Sequence, residues 1–115
     1  MNTVRHILEV KGRDVWTIPP EATVLDALHL MADKDIGALL VVDGERLVGI
    51  LSERDYARKV ILMGKASKDT LVSEIMTSKL YTVHPDQTVE ECMALMTNHR
   101  IRHLPVMDGP EIVGV

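Results

Sequence analysis

The chain has 115 residues, 46% hydrophobic and 26% charged, a profile of one compact domain or two very small ones that excludes intrinsic disorder. A net charge of -4 disfavours a nucleic-acid binder with a basic surface, and 3% aromatics with no Phe leaves an aliphatic core and little for RNA stacking. The single Cys92 permits neither an internal disulfide nor a Cys-rich zinc site, and there is no bilayer-length apolar run and no readable signal peptide, so the expected location is the cytoplasm, with no membrane and no nucleic-acid partner.

Taken in chain order, Val4 to Leu8 reads as a short leading helix. Val15 to Ile18 reads as a strand that Pro19-Pro20 ends, since proline gives no ladder donor. Thr23 is an N-cap, and Val24, Ala27, Leu28 and Met31 follow at helical spacing, with Asp26, His29 and Asp33 on the solvent face. Ala38 to Val42 is a continuous apolar run, expected of a strand buried on both faces. Asp43-Gly44 signals a hairpin and Arg46 to Leu51 returns. The intervening helix makes the first two strands parallel, and the hairpin makes the third antiparallel. Ser52 then caps a helix through about Met63, so apolar at Tyr56, Ala57, Val60, Ile61, Leu62 and Met63 that it is expected to have two neighbours.

The chain then repeats itself. Shifted by about 65 residues, Thr17 to Pro20 falls on Thr82 to Pro85, Leu30-Met31 on Leu95-Met96, Asp43-Gly44 on Asp108-Gly109, and Val48-Gly49-Ile50 on Val113-Gly114-Val115. Roughly a third of the aligned positions are identical, against about a twentieth to a fifteenth by chance. Val72 to Met76 echoes Val4 to Leu8, and Thr88 with Glu91 forms a capping box ahead of the stripe Val89, Cys92, Met93, Met96. The expected division is residues 1–67, a first repeat with its leading helix, and 68–115, a second repeat cut short at its C-terminus. The missing final helix is expected to be replaced by a neighbouring chain or by a tail beyond Val115. Units of this size bury too little surface alone, so the two halves are expected to pack about a pseudo-two-fold axis, leaving clefts at the seam.

The β-α-β-β-α repeat resembles the cystathionine-β-synthase (CBS) domain, and the tandem resembles a CBS pair. The likeness rests on the Thr-Val helix start, on Ile36 to Asp43, on Leu47 to Asp55 and on His99 to Val106, and covers about Val4 to Val115. It implies an α/β (α+β) fold and a small stand-alone regulatory module without chemistry of its own. It also implies an adenosyl ligand (AMP, ADP, ATP, NAD(H) or S-adenosylmethionine) between paired repeats, and dimerisation through helices into a homodimer.

The resemblance carries over residue by residue. Its Ser/Thr-x-x-Asp pattern falls on Ser52 and Asp55, the aspartate accepting from ribose hydroxyls, with Arg54 beside it for a phosphate. Ser at an N-cap with Asp three residues on is equally an ordinary helix start. Arg102 and His103 fall on phosphate-contacting positions, while His99 and Arg100 are assigned to the helix C-terminus. The base positions are Leu80 and Ile101 for one cleft, and Val15 and Ile36 for the other. The first cleft combines Leu80 and Ile101 with Ser52, Arg54 and Asp55. The second combines Val15, Ile36, Arg102 and His103 and lacks its ribose acid, so the cleft holding Asp55 is expected to bind better.

Other chemistries lack parts. His99 and His103 are four apart, but Leu104-Pro105 places His103 beyond the helix, and no Glu follows His99, so no metal site is expected. Cys92 lies on an apolar stripe, Ser52 has no readable His partner, and no Gly-rich phosphate loop is present, so no catalytic residue is assigned. Two functions remain: a ligand-sensing module, and an interaction or dimerisation domain that binds no metabolite.

Overall fold

In the computed structural model, residues 2–12 and 14–115 are described. In chain order the elements are α1 (Val4–Lys11), β1 (Thr17–Ile18), α2 (Val24–Lys34), β2 (Ala38–Asp43), β3 (Arg46–Ser52), α3 (Glu53–Tyr56), a π-helical turn (Ala57–Ile61), α4 (Val72–Ile75), α5 (Val89–His99), β4 (Val106–Asp108) and β5 (Glu111–Gly114). They form two compact units. One is Trp16–Leu80; the other joins the chain up to Val15 with Tyr81–Val115.

In the unit Trp16–Leu80 the sheet order is β1-β2-β3, with β1 parallel and β3 antiparallel to β2. The β-α-β-β-α order expected of the first repeat is present. The first strand is shorter than expected: only Thr17 and Ile18 pair, opposite Leu40 and Val41, and Val15 lies outside it. Thr23 caps α2 through a capping box with Asp26, and Val24, Ala27 and Met31 turn into the core. Leu39, Leu40 and Val41 are all buried, as a strand covered on both faces requires. After Ser52 the expected helix begins as one α-turn and continues as a π-turn, in which Leu62 N donates to Ala57 O, and the run ends at the left-handed Gly64, where Gly64 N donates to Ile61 O and Lys65 N to Val60 O. The Leu62–Ala57 bond spans five residues, so the turn is wider than an α-helix. Val60 enters the core, whereas Ile61, Leu62 and Met63 are 56%, 76% and 68% exposed.

The second unit repeats the first in detail. Val83 bridges Val106 in parallel, as Ile18 pairs with Val41, and β4 is antiparallel to β5. The register shift between Val41 and Val42 recurs between Val106 and Met107, 65 residues on. The left-handed residues that end α2 and α5, Asp35 and Arg100, are again 65 apart, and the next amide in each case donates back to a methionine carbonyl, Ile36 to Met31 and Ile101 to Met96. Thr88 and Glu91 form the expected capping box. β4 begins only at Val106, because Pro105 offers no amide to a ladder.

The leading segments are placed differently from the division at residue 67. Segment 2–12 packs with the second repeat and segment 71–80 with the first. Val4 and Leu8 join a core of Val83, Cys92, Leu104 and Val106, and Val4 N and Arg5 N donate to Gln87 O and Pro85 O. Val72 and Ile75 join the core of Ile18, Val24, Ala27, Met31, Leu39, Val41, Leu51 and Val60, and Val72 N donates to Ala22 O. A glycine makes each docking close. A Cβ on Gly49 would stand 2.6 Å from Met76 Sδ, and one on Gly114 would stand 2.6 Å from Leu8 Cδ2. Leu8 thus covers β5 at Gly114 as Met76 covers β3 at Gly49.

Candidate functional site

A polar constellation in the unit Trp16–Leu80 is built where β3 passes into α3. Ser52 closes the strand in extended geometry and caps the helix: Asp55 N donates to Ser52 Oγ at 3.2 Å, and Ser52 N donates to Asp55 Oδ2 at 3.0 Å. Ser52 Oγ donates to the same Oδ2 at 3.1 Å. The other oxygen, Oδ1, takes the Thr77 hydroxyl at 3.1 Å and the Lys59 ammonium at 3.2 Å. Lys59 Nζ also donates to Ile75 O at 3.0 Å. The Asp55 side chain is 12% exposed, against 44% for Lys59. A carboxylate so desolvated is held by its donors, and two of those are hydroxyls, the donor type a ribose presents.

The helix-start reading of Ser52 and Asp55 is therefore realised, and Oδ2 carries it. Oδ1 lies outside the cap, with Thr77 and Lys59 as its partners. Thr77 and Lys59 were not singled out from sequence. Lys59 had a signal, its i+4 spacing from Asp55. Thr77 had none, since only the seating of the segment after α4 on β3, where Thr77 and Ile50 exchange backbone bonds at 2.9 Å, brings it near.

The remaining expected residues divide between the units. Arg54 is exposed on the first turn of α3, and Leu80 is half-buried at the end of unit Trp16–Leu80. Ile36 is half-buried after the left-handed Asp35, and its neighbour Gly37 accepts from Glu53 N at 3.0 Å. The structure thus joins Ile36, assigned to the other group, to the start of α3 through adjacent backbone. In the second unit, Val15 and Ile101 are half-buried, and Arg102 and His103 are exposed between Ile101 and the buried Leu104.

A second pairing escaped the sequence reading. Lys34 Nζ lies 4.5 Å over the Trp16 ring, and Tyr81 stacks on His99 at 3.8 Å between centroids. Trp16 and Lys34 map onto Tyr81 and His99 by the same shift of 65, so both repeats set an aromatic before the first strand against the last residue of the following helix. The duplication was the available signal.

Among the described residues no group of three or more His, Cys, Asp or Glu side chains is disposed to hold a metal ion, and no helix is long and apolar enough to cross a membrane. The Arg5 guanidinium, 2.8 Å from Asp86 Oδ1, holds that carboxyl below its usual range. Cys92 is buried in the core of its unit, and burial, aided by the charge of Glu91, pushes its thiol pKa up. The thiolate is the reactive form, so iodoacetamide at pH 7 is expected to leave Cys92 unmodified in the folded protein and to alkylate it in urea. Intact-mass spectra showing rapid labelling of the folded chain would contradict that placement.

Comparison with known proteins agrees with the geometry. The CBS domain family profile matches residues 4–62 and 72–115. The mitochondrial CBS domain-containing protein CBSX3 of Arabidopsis thaliana is 40% identical over 98% of the chain, which spans 59% of that relative's length. The crystal structure of the CBS domain NE2398 superposes with a TM-score of 0.94 at 50% identity, covering 99% of this chain and 90% of that one. The CBS domain pair of MJ0100, solved in complex with 5'-methylthioadenosine and S-adenosyl-L-methionine, superposes with a TM-score of 0.87 at 28% identity, covering 99% and 87%. With both repeats matched, and with the repeated strand, bulge and cap pattern in each unit, the chain belongs to the CBS-domain family and carries two CBS repeats.

Proposed function

We propose that this chain is a non-catalytic regulatory module that senses an adenosyl ligand, with Asp55 accepting from the ribose diol. One observation carries the reading: a nearly buried carboxylate whose Oδ1 is already furnished with a hydroxyl donor, Thr77, at 3.1 Å. The adenosyl complex of the MJ0100 pair supports the ligand class. Ser52 orients the acid through the capping box, and Arg54, one residue before it on α3, supplies positive charge for a 5' phosphate or sulfonium-borne carboxylate. Arg102 and His103 are assigned a weaker phosphate-contacting role in the second unit, and Leu80, Ile101, Val15 and Ile36 the apolar contacts to the base.

Calorimetry and thermal shift with AMP, ATP, NADH and S-adenosylmethionine test this. A ligand present at about 100 times its dissociation constant stabilises the chain by about 2.7 kcal/mol. Absence of heat and shift with every adenosyl compound would overturn the reading.

The exposed Ile61, Leu62 and Met63 favour a second reading, a module that associates through this turn, as a homodimer, without any metabolite. The same panel separates the two, because association alone gives no adenosyl-dependent shift.

A further inference from the structure

Resting on the ribose reading of Asp55, we propose that Lys59 and Thr77 form an internal latch that competes with the ligand for Asp55 Oδ1, and that its displacement is how occupancy is transmitted. The two oxygens of Asp55 are not equivalent. Oδ2 is committed to the N-cap, taking both the amide and the hydroxyl of Ser52. Oδ1 takes Thr77 Oγ1 and Lys59 Nζ, both from outside the cap. A carboxylate oxygen has about two lone-pair positions, so Oδ1 is full. A diol reaching Asp55 must take the place of one or both donors there.

Both donors lead to one segment. Thr77 belongs to it, and Lys59 holds it through Ile75 O. Detaching them from Asp55 leaves Ile75–Thr77 tied to the rest of its unit by the apolar seating of Ile75, the Lys59–Ile75 O and Met76–Val72 O bonds, the Met76 contact over Gly49 and the two Ile50–Thr77 backbone bonds. This segment runs directly into Leu80, where the chain leaves the unit Trp16–Leu80. A ligand thereby exchanges an internal tether for its own ribose, and the segment after α4 loosens. An unlatched carboxylate is the better acceptor, so removing the latch tightens binding. Were Lys59 or Thr77 instead a direct contact to the ligand, its removal would weaken binding.

The probe is 5'-methylthioadenosine, which carries a ribose diol and no charge, so Lys59 has no ligand charge to meet directly. Lys59→Met keeps the aliphatic stem, and the Lys59 side chain is 44% exposed so that solvent screens its charge, so Kd is expected to fall by about two- to fivefold. Thr77→Val is expected to tighten binding as well, and Thr77→Ser to restore the wild-type Kd. Neither Lys59→Met nor Thr77→Val alters the response to 2',3'-dideoxyadenosine, which lacks the diol. Amide exchange at Met76 and Thr77 is expected to speed up when 5'-methylthioadenosine saturates the wild type. Weaker or unchanged 5'-methylthioadenosine binding by both Lys59→Met and Thr77→Val overturns the latch while leaving the ribose reading in place. Binding by the variants where the wild type shows none supports the latch. No binding by any of them, or wild-type binding that survives Asp55→Ala, overturns the ribose reading and the latch with it.

Discussion

Asp55→Ala is expected to weaken adenosyl binding by about 10- to 100-fold and to lower the folding stability by about 1–3 kcal/mol. The first figure follows from the loss of a hydrogen bond to a charged acceptor, about 1.5–3 kcal/mol. The second combines the capping box with the partners left behind. Ser52 N and Thr77 Oγ1 lose their acceptor, and Lys59 loses its counter-ion, in a site where the aspartate is 12% exposed. Asp55→Asn separates the two effects. It keeps an acceptor for Ser52 N and so most of the cap, but it removes the charge that makes a ribose hydroxyl bond strong. Calorimetry and urea unfolding on both variants read the two quantities independently. Full affinity in Asp55→Ala would remove the aspartate from the site, and full stability would remove it from the network that the structure shows.

The features legible in the sequence are those written by local rules or by the duplication. The parallel pairing of β1 with β2 follows from a helix between two strands. The hairpins follow from Asp43-Gly44 and Asp108-Gly109, with Gly44 and Gly109 at positive φ, and the helix starts follow from Thr23, Ser52 and Thr88. Two things were not legible. The apolar pair at i and i+4, Val4 with Leu8 or Val72 with Met76, suits either repeat equally, so pattern alone cannot say on which sheet a leading helix lands. The seating that the structure shows was decided by backbone partners, such as Val4 N on Gln87 O and Val72 N on Ala22 O, that no periodicity encodes. The π-turn was hidden for a related reason. Tyr56 to Met63 is apolar at nearly every position, so its pattern cannot distinguish a helix of 3.6 residues per turn from a wider one. At the site the same limit applies: Ser52 and Asp55 are neighbours in sequence, whereas Thr77 reaches Asp55 only through tertiary structure.

Gly49→Val is expected to destabilise the unit Trp16–Leu80 by about 2 kcal/mol, although valine is the better strand residue by up to about 1 kcal/mol. The two effects oppose, and the geometry decides between them. A Cβ at Gly49 would stand 2.6 Å from Met76 Sδ and 3.1 Å from Met76 Cγ and Thr77 O. A flexible thioether can yield, but Thr77 O is backbone, and it accepts from Ile50 N at 2.9 Å. The new side chain therefore pushes on the pairing that holds segment 75–77 on β3. Adding Met76→Ala is expected to recover only part of the loss, about 1 kcal/mol, as the backbone contact persists. Gly114 offers the contrasting case, because every close atom there belongs to the Leu8 side chain. Gly114→Val with Leu8→Ala should therefore show the larger favourable coupling, set against the cost of emptying a Leu8 that is 3% exposed. Urea unfolding of the four single variants and two doubles measures both cycles. A Gly49→Val chain as stable as the wild type would mean that Met76 and Thr77 do not sit on β3. The contacts of Thr77 with Asp55, and the latch built on them, would then lose their foundation.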